Sequence, residues 1–420
     1  MSAAHRLAVK GGDPVREAPW PSRPWLTAEE LAEFNGLANA MLATGETFTY
    51  QGEQEEAYCR EFAAYTGVPY ADHVSSGTTA VWIALRALEL EPFTEVVVSC
   101  MTDPGGMMPI PLLNLIPVPA DVAPGRYNVG PEQVAERLTP LTSALVISHI
   151  HGEPVDMPGI MKLAEERGLP VIEDCAQAHG ATINGRMVGT FGTYGAVSTM
   201  YGKHHASGPQ GWMIICQGEE LYWQARRAAD RGKPFNLPPG STNCMASLNL
   251  NGNDLSAAFG RIALRRLPSL LARRREIVAQ LREQTCDLTT VSLLPPPAGT
   301  ECSHWFLDFR FFAERCSCPK DEFLEALAAE GMPGLAPNYG GAMPHLMDWF
   351  RERRVFGRSG YPWASPDYHG DRNRDYPCPN MLATNDLLFF TTISELWQDE
   401  DVADLVAILR KVDAAFQVGR

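Results

Sequence analysis

The sequence predicts an α/β protein whose mostly parallel sheet is covered by helices on both faces, followed by a smaller α+β unit. In the centre of the chain, the apolar runs 144–148 and 170–174 have the composition of buried strands, and a helical pattern over 157–167 separates them. Short β-branched strands that alternate with helices are typical of parallel sheets buried on both faces. The proline-rich turn 293–299 then divides this pattern from the rest of the chain.

The first elements are predicted mainly from capping signals. Residues 27–30, Thr-Ala-Glu-Glu, form a capping box that indicates a helix to about residue 42. A second helical pattern covers residues 54–65, and the small residues 75–79 open a third helix that extends to about residue 88. Further strands are expected at four apolar runs: 95–100, 117–122, 197–200 and 213–215.

The last third of the chain is predicted to contain the smaller unit. A long helix is expected over 254–281, and beyond the proline-rich turn a strand at 304–312 and helices at 320–329 and 402–416. Residues 338–380 are rich in Gly, Pro, Tyr, Trp and Arg, which is typical of a long loop and makes them candidates to line a site. We therefore expect an N-terminal arm (1–25), a large domain (26–285) and a small C-terminal domain (286–420).

Composition and charge argue against several classes of protein. Of the 420 residues, 45% are apolar and 20% are charged, which is the profile of a soluble globular protein. The net charge of -15 opposes binding to nucleic acid or to an anionic membrane. No apolar run approaches the roughly 18–20 residues of a membrane span, and the N-terminus lacks the apolar core of a signal peptide. We expect a cytoplasmic protein.

The cysteines give little support for a metal site. Ten are scattered along the chain, and only Cys316 and Cys318 lie close together. A single C-x-C without a second pair is weak support for a metal, so the sequence predicts reduced thiols and no metal.

Four separated elements fit one phosphorylated cofactor, and two of them lie at element ends. Ser76-Gly77-Thr78-Thr79 opens a helix, where backbone N–H groups and the helix dipole bind anions, although small residues there also simply cap helices. Asp174 ends a strand, at the edge where open α/β sheets bind ligands. Its carboxylate can pair with a protonated pyridine nitrogen, and a plain helix N-cap is the alternative.

Lys203 and Asn249 are the other two elements. Lys203 comes directly after a short strand pattern that includes Ser198. A lysine that is partly desolvated, with a lowered pKa, can form a Schiff base with an aldehyde, although most lysines are solvated. Asn249 precedes a helix, and in isolation a role in a turn or a helix cap explains it equally simply.

The order and spacing of these elements resemble the DegT/StrS family of pyridoxal-phosphate enzymes, the sugar and cyclitol aminotransferases. The resemblance extends from about residue 7 to residue 412. Its most specific parts are residues 173–181 (EDCAQAHGA), His149-Ile150-His151-Gly152 with the residues that follow, and Gly189-Thr190-Phe191-Gly192. The opening Gly-Gly-Asp-Pro-Val-Arg at 11–16 is also similar.

The resemblance implies the fold type I of pyridoxal-phosphate transferases, with a seven-stranded, mostly parallel sheet in the large domain and a smaller C-terminal domain. It implies that Lys203 carries pyridoxal 5'-phosphate as a Schiff base and moves the proton on the substrate carbon. Asp174 is implied to pair with the pyridinium nitrogen, and Gln177 to contact the ring oxygen.

The resemblance also implies a phosphate site that two subunits share. Gly77, Thr78 and Ser198 match residues that hold the phosphate. Asn249 matches an asparagine that reaches the phosphate of the neighbouring subunit, so a homodimer with shared active sites is expected.

The function implied is transfer of an amino group from glutamate or glutamine to a keto sugar or keto cyclitol, through pyridoxamine phosphate, in secondary-metabolite or surface-sugar biosynthesis. Dehydration, epimerisation or other carbanion chemistry on a sugar is the alternative. Family members that dehydrate commonly have histidine in place of the lysine, and here Lys203 is present. A non-catalytic regulatory protein that only binds the cofactor is the third possibility, although the chain is acidic and shows no helix-turn-helix extension.

Three segments depart from the family pattern. Asp103 replaces the aromatic residue that usually stacks on the cofactor, which indicates altered acid–base chemistry near the ring or a loop shift that supplies another stacking group. Gly-Pro-Gln-Gly at 208–211 replaces Gly-Glu-Gly-Gly. Asn251-Gly252 replaces Arg-Met, which removes a guanidinium fork suited to carboxylate or phosphate.

The candidates for substrate contact are His151, His204, Tyr339 and His345. His204, next to His205, directly follows Lys203 and is a candidate general acid or base, or one of two histidines that pack in a loop. Tyr339 and His345 lie in the loop-like region 338–380, where packing of the loop is the alternative.

Overall fold

Three β-sheets organise the computed structural model, which describes residues 6–22 and 26–418. The strands in chain order are β1 (Tyr70–Val74), β2 (Glu95–Ser99), β3 (Ile116–Ala120), β4 (Thr142–Ser148), β5 (Val171–Asp174), β6 (Thr182–Ile183), β7 (Arg186–Met187), β8 (Tyr194–Ser198), β9 (Trp212–Cys216), β10 (Val291–Leu293), β11 (Thr300–Glu301), β12 (Phe306–Phe311) and β13 (Leu388–Thr392). The central sheet has the order β1-β9-β8-β5-β4-β2-β3, and the small sheets have the orders β10-β12-β13 and β11-β6-β7.

The central sheet is mostly parallel, as the sequence predicts. Strands β3, β2, β4, β5 and β8 run in one direction, and β9 is antiparallel to both of its neighbours, β8 and β1. The carboxyl ends of the parallel strands therefore meet at one edge of the sheet, where open α/β sheets bind their ligands.

Fourteen α-helices accompany these strands within the described ranges. They are α1 (Ala28–Thr44), α2 (Glu53–Thr66), α3 (Gly77–Ala87), α4 (Pro104–Met107), α5 (Pro109–Leu112), α6 (Pro131–Ala135), α7 (Met157–Arg167), α8 (Glu219–Ala229), α9 (Asp254–Leu264), α10 (Leu267–Thr285), α11 (Lys320–Ala329), α12 (Asp348–Arg351), α13 (Pro379–Leu387) and α14 (Asp399–Phe416).

Both faces of the central sheet are buried. In β4, Leu145 and Ile147 belong to a cluster with residues of α2, α7 and α10. Ala144 and Val146, which point to the other face because side chains alternate along a strand, belong to a cluster with residues of α3 and α8. This two-sided burial explains why the strands read as continuous apolar runs.

The smaller C-terminal sheet has its own apolar cluster. Phe309 of β12 and Phe389 of β13 stack at 5.3 Å between ring centroids, and α11 and α14 pack on them. Leu7 of the N-terminal arm also belongs to this cluster. Helix α10 contributes to both units, with Leu271 in a large-sheet cluster and Ile277 in the small one. The domain boundary expected at residue 285 thus follows a helix that both units share, and it stays a prediction.

Two boundaries differ from the sequence prediction for physical reasons. The helix expected over 254–281 is divided into α9 and α10, because Pro268 lacks an N–H and its ring would collide with the carbonyl of Leu264, where α9 ends. The strand expected at 197–200 is β8, which begins at Tyr194 and ends at Ser198. Gly195 interrupted the apolar run by which the strand was predicted.

Across residues 6–22 and 26–418, no helix combines the length and the apolar character that a membrane crossing requires.

Candidate active site

A cavity of about 400 Å³ lies at the carboxyl ends of β2, β4, β5 and β8, where these strands meet the N-terminus of α3. Each of these elements ends or begins with small or polar residues that face the cavity. They include Gly77 and Thr78 from α3, Asp174 from β5, Ser198 from β8 and Lys203 from the loop after β8. Three of the four separated sequence elements meet here. The fourth, Asn249, was expected at the phosphate site of a neighbouring subunit.

Lys203 lies in the wall of this cavity, with its Nζ 4.9 Å from the centroid of the Trp305 ring. Its backbone N–H donates to the carbonyl of Met200 at 2.9 Å, which closes a tight turn directly after β8. Burial lowers the pKa of the Lys203 amino group, and the negative charges of Asp174 and Asp103 partly oppose that shift. A lysine with a lowered pKa has more of the unprotonated amine that can attack an aldehyde.

Asp174 is buried at the end of β5. Its Oδ1 accepts a hydrogen bond from the Ala176 N–H at 3.0 Å. A methyl group added at Gly106 would lie 3.2 Å from its Oδ2 and only 2.4 Å from Thr102 Oγ1, so a glycine there keeps the space beside the carboxylate open. Burial raises the pKa of Asp174, while the Ala176 N–H and the positive charge of Lys203 lower it. A cationic partner in the open space would stabilise the ionised form.

The N-terminus of α3 forms the anion-binding end of the cavity. Ser76 and Thr79 bond to each other's backbone N–H as a capping box, so the N–H groups of Gly77 and Thr78 are left for a ligand. Gly77 is required for packing, because a Cβ there would lie 1.9 Å from the ring of Trp212. Trp212 also lines the cavity, and its buried Nε1 has no hydrogen-bond partner among the described residues.

Gln177 is held between two neighbours in the cavity wall. Its Nε2 donates to the hydroxyl of Tyr339 at 2.5 Å, and its Oε1 accepts from the His151 N–H at 2.9 Å. Burial raises the pKa of Tyr339 to about 12, so this hydroxyl stays protonated at neutral pH. Tyr339 thus reaches the cavity through Gln177, from within the loop-like region that the sequence singled out.

Three of the histidines predicted to contact substrate lie outside the cavity lining. His151 is buried among aromatic rings and its Nδ1 is 2.7 Å from Asp308 Oδ1, so it positions Gln177 through its backbone. His204 Nε2 bonds to the carbonyl of Ser303 at 3.0 Å. His345 is buried beside Cys378. For all three, packing explains the position without a substrate, and their predicted contact is not supported by the geometry.

Asn249 lies apart from the cavity of its own chain. It is exposed, forms a bridge with Asp230, and its Oδ1 accepts from Asn251 Nδ2 at 2.7 Å. This position is compatible with a contact to a second subunit, which stays a prediction.

Sequence analysis missed several lining residues, among them His149, Gln210 and Trp212. His149 Nδ1 accepts from the Val155 N–H at 3.0 Å, which leaves Nε2 to donate to Glu173 Oε2 at 3.2 Å. Asp103 caps the short helix α4 by accepting from the Gly105 N–H at 2.9 Å. Trp212 lies in β9, directly beside β8 in the sheet. The composition of that segment indicated a buried strand but not a cavity residue.

The chain is similar in sequence to known aminotransferases. The sequence model of the DegT/DnrJ/EryC1/StrS aminotransferase family matches residues 29–355 of this chain. A putative L-glutamine:3-amino-2,3-dideoxy-scyllo-inosose aminotransferase of Micromonospora echinospora is 30% identical over 332 residues, 78% of each chain. An L-glutamine:2-deoxy-scyllo-inosose aminotransferase of Streptomyces fradiae is 35% identical over 240 residues, 57% of this chain and 56% of that one.

Solved structures show the same fold over nearly the whole chain. The aminotransferase TlmJ from Streptoalloteichus hindustanus has a TM-score of 0.76 and 26% identity, and the match covers 93% of this chain and 97% of TlmJ. An aminotransferase from Psychrobacter cryohalolentis has a TM-score of 0.79 and 25% identity, with 95% and 99% covered.

Proposed function

Because the chain belongs to the DegT/DnrJ/EryC1/StrS aminotransferase family, we propose that it binds pyridoxal phosphate in the cavity and aminates a keto cyclitol with L-glutamine as donor. The chain is an aminotransferase of keto sugars or keto cyclitols, so the non-catalytic protein that the sequence left open is excluded. The observation that carries the proposal is the meeting of Lys203 and Asp174 in one cavity capped by the N-terminus of α3.

Three features of the cavity support pyridoxal phosphate as the cofactor. The volume of about 400 Å³ is within the range of small-ligand sites. The backbone N–H groups at the N-terminus of α3 are donors that suit a phosphate. At the other end, the buried carboxylate of Asp174 suits a protonated ring nitrogen, and Lys203 supplies an amine of lowered pKa.

When bound, pyridoxal phosphate supplies an aldehyde that takes up amines and a protonated ring that accepts electrons from the substrate carbon. Asp174 would hold the ring nitrogen in its protonated form, because a carboxylate in a buried site strongly favours a cation beside it. Thr78 and Ser198, which line the cavity, would hold the phosphate. Lys203 Nζ would carry the proton to and from the reacting carbon of the substrate, as a general base and acid.

The named relatives favour glutamine and a cyclitol over other partners. Two relatives that are 30% and 35% identical are named for L-glutamine as donor and for scyllo-inosose derivatives as acceptors. A polyhydroxylated acceptor is recognised by side chains that form hydrogen bonds with its hydroxyl groups. The side chains of Gln177, Gln210 and Tyr339, at or beside the cavity, supply such groups.

The α-carboxylate of the donor needs a cationic or hydrogen-bonding partner. Within the described ranges, no arginine is among the residues that line the cavity. We infer that a second copy of the chain supplies the missing contacts in a homodimer. Exposed apolar side chains of the kind an interface buries include Leu248, the neighbour of Asn249, and Tyr50 and Leu255.

The test is a pair of half-reactions on the purified protein loaded with pyridoxal phosphate. L-glutamine should remove the visible absorbance of the lysine-bound cofactor, and a 2-deoxy-scyllo-inosose-type ketone should restore it. Mass spectrometry should then identify the aminated cyclitol. A protein in which no amino donor changes the absorbance would contradict the proposal.

Lys203→Ala should lose both the visible absorbance and turnover. Lys162→Ala is the matched control, since Lys162 is exposed on α7, away from the cavity lining. The control should retain the absorbance and both half-reactions.

A further inference from the structure

A cluster of four buried side chains lies beside the cavity and has no role in the proposed reaction. Cys100 follows β2, Asp121 follows β3, His345 lies in a short turn within the loop-like region, and Cys378 directly precedes α13. One ligand atom each from Cys100, Asp121 and Cys378 lies within 4.8 Å of the others, and all three residues are buried. The four come from four separate segments, which is why their sequence spacing predicted no metal.

His345 lies outside this group of three but next to Cys378. Cys378 Sγ donates to the carbonyl of Tyr376 at 3.5 Å, and the neighbouring Cys100 thiol and His345 side chain lower the pKa of the Cys378 thiol. His345 is only 5% exposed, and its Nδ1 has no hydrogen-bond partner in the part of the chain that is described. A buried ring nitrogen without a partner is costly, so a ligand within reach of Nδ1 would stabilise the fold.

Asp121 is held rigidly in place by backbone groups. Its Oδ1 accepts from the N–H groups of Val122 at 2.8 Å and Met381 at 3.0 Å, and its Oδ2 accepts from Asn380 at 2.8 Å. A carboxylate offers about four lone-pair positions, so one position on Oδ2 is left for a metal ion. Such outer hydrogen bonds are typical of metal-ligating carboxylates, which they orient.

We propose that Cys100, Asp121, His345 and Cys378 bind one structural zinc ion. Two thiolates, an imidazole and a carboxylate are all zinc ligands, and four protein ligands make the closed tetrahedral coordination of structural sites. With zinc–sulfur bonds of about 2.3 Å, tetrahedral geometry separates two sulfurs by about 3.8 Å, which is compatible with the spacing of the cluster.

The ion would fasten the loop-like region to the cavity wall. Thr102, two residues after Cys100, lines the cavity, and its N–H donates to the carbonyl of Ala342 at 2.9 Å. Tyr339 lies shortly before Ala342 in the chain, and its hydroxyl accepts a hydrogen bond from Gln177. The zinc ion thus cross-links the ends of β2 and β3 to the segment that brings Tyr339 to the cavity.

The test measures zinc in the intact holoenzyme under reducing conditions, before and after titration with Zn²⁺. We expect about one tightly held zinc per chain, with X-ray absorption showing two sulfur neighbours at about 2.3 Å and two nitrogen or oxygen neighbours at about 2.0 Å. Anomalous diffraction at the zinc edge should place the ion between Cys100 and Cys378. These readouts use the unmodified protein, so they do not depend on a variant folding.

Cys378→Ser and His345→Gln should each lower the zinc content at least about tenfold after dialysis against a chelator. The matched control is Cys316→Ser with Cys318→Ser, the other close thiol pair, whose sulfurs are 3.6 Å apart. It should retain the full content. A protein that takes up no zinc, zinc that persists in Cys378→Ser, or a disulfide between Cys100 and Cys378 in the reduced preparation would each overturn the proposal.

Discussion

Asp174 carries the negative charge that the proposed reaction needs at the ring nitrogen. Asparagine at this position keeps the side-chain size and can still accept the Ala176 N–H bond, but it has no charge to hold a pyridinium proton. We expect Asp174→Asn to bind pyridoxal phosphate and to react with L-glutamine roughly 100-fold more slowly or worse. Single-turnover measurement of the absorbance change gives this rate.

Asp156→Asn is the control for that variant. Asp156 also accepts a backbone N–H, from Gly159 at 3.1 Å, but it caps α7 away from the cavity lining. Its rate should stay within about twofold of the unmodified protein. If Asp174→Asn reacted as fast as this control, the role assigned to the carboxylate would be wrong.

Asp103 replaces the family's stacking aromatic and changes the electrostatics of Lys203. Burial lowers the pKa of Lys203, and the charge of Asp103 opposes that shift. Asp103→Asn removes the opposing charge while asparagine still caps α4. The pKa of Lys203 should therefore fall further, so the unprotonated amine should persist to lower pH.

The pH dependence of cofactor attachment measures this effect. In protein freed of cofactor, the midpoint for attachment of pyridoxal phosphate should shift down by roughly one pH unit or less in Asp103→Asn. An unchanged midpoint, or one that moves up, would show that Asp103 does not influence the lysine.

At the residue scale, topology explains which parts of the site could be predicted. Lys203 and Asp174 each follow a strand, and because β8 and β5 are parallel neighbours, residues after them must meet at one edge. Trp212 could not be predicted, because its exposure to the cavity depends on β9 being antiparallel to β8. The position of His345 near Cys378 could not be predicted either, because nothing in its own segment indicates a partner so far along the chain.

Helix α3 depends on the close approach of β9 to its first turn. A Cβ at Gly77 would lie 1.9 Å from the Trp212 ring, so Gly77→Ala must displace the tryptophan or the helix start. We expect a loss of roughly 1–3 kcal/mol in the free energy of unfolding. We also expect weaker retention of pyridoxal phosphate, because the N–H groups of the first turn would move with the helix. Chemical denaturation and equilibrium dialysis measure the two effects.

Two further variants separate packing from a general effect of alanine. Gly36→Ala lies in α1 with nothing within 4 Å of the added Cβ, so it should be neutral or stabilise by up to about 1 kcal/mol. Trp212→Leu combined with Gly77→Ala should recover part of the lost stability. If Gly77→Ala were as stable as Gly36→Ala, the steric argument would fail.

At the element scale, the presence of the long helices and strands was predicted better than their first and last residues. Helix α1 begins after the Thr27 capping box that the sequence showed, because that signal is local. The division of α9 from α10 also has a local cause, Pro268, which the continuous apolar spacing concealed. The start of β8 was misjudged because Gly195 carries no apolar side chain. The structure requires glycine there, since an added Cβ would lie 2.2 Å from the Gly189 carbonyl oxygen.

For the whole molecule, the fold class could be predicted because burial on both sheet faces leaves a strong apolar signature. The arrangement of subunits could not, since an interface is not distinguished from the remaining surface by composition alone. Asn249 shows the consequence: its own chain gives it only local partners, Asp230 and Asn251.

The homodimer predicts that two inactive variants restore each other. If Asn249 serves the phosphate site of the partner subunit, a mixed dimer of Lys203→Ala and Asn249→Ala contains one site with both side chains intact. Random mixing at equal amounts makes about half of the dimers mixed, so activity should recover to roughly a quarter of the unmodified level. If Asn249 acted within its own chain, every site in the mixture would lack one side chain and no activity would return. The measurement is amine transfer after subunit exchange, with each variant alone as the baseline and light scattering to verify the dimer.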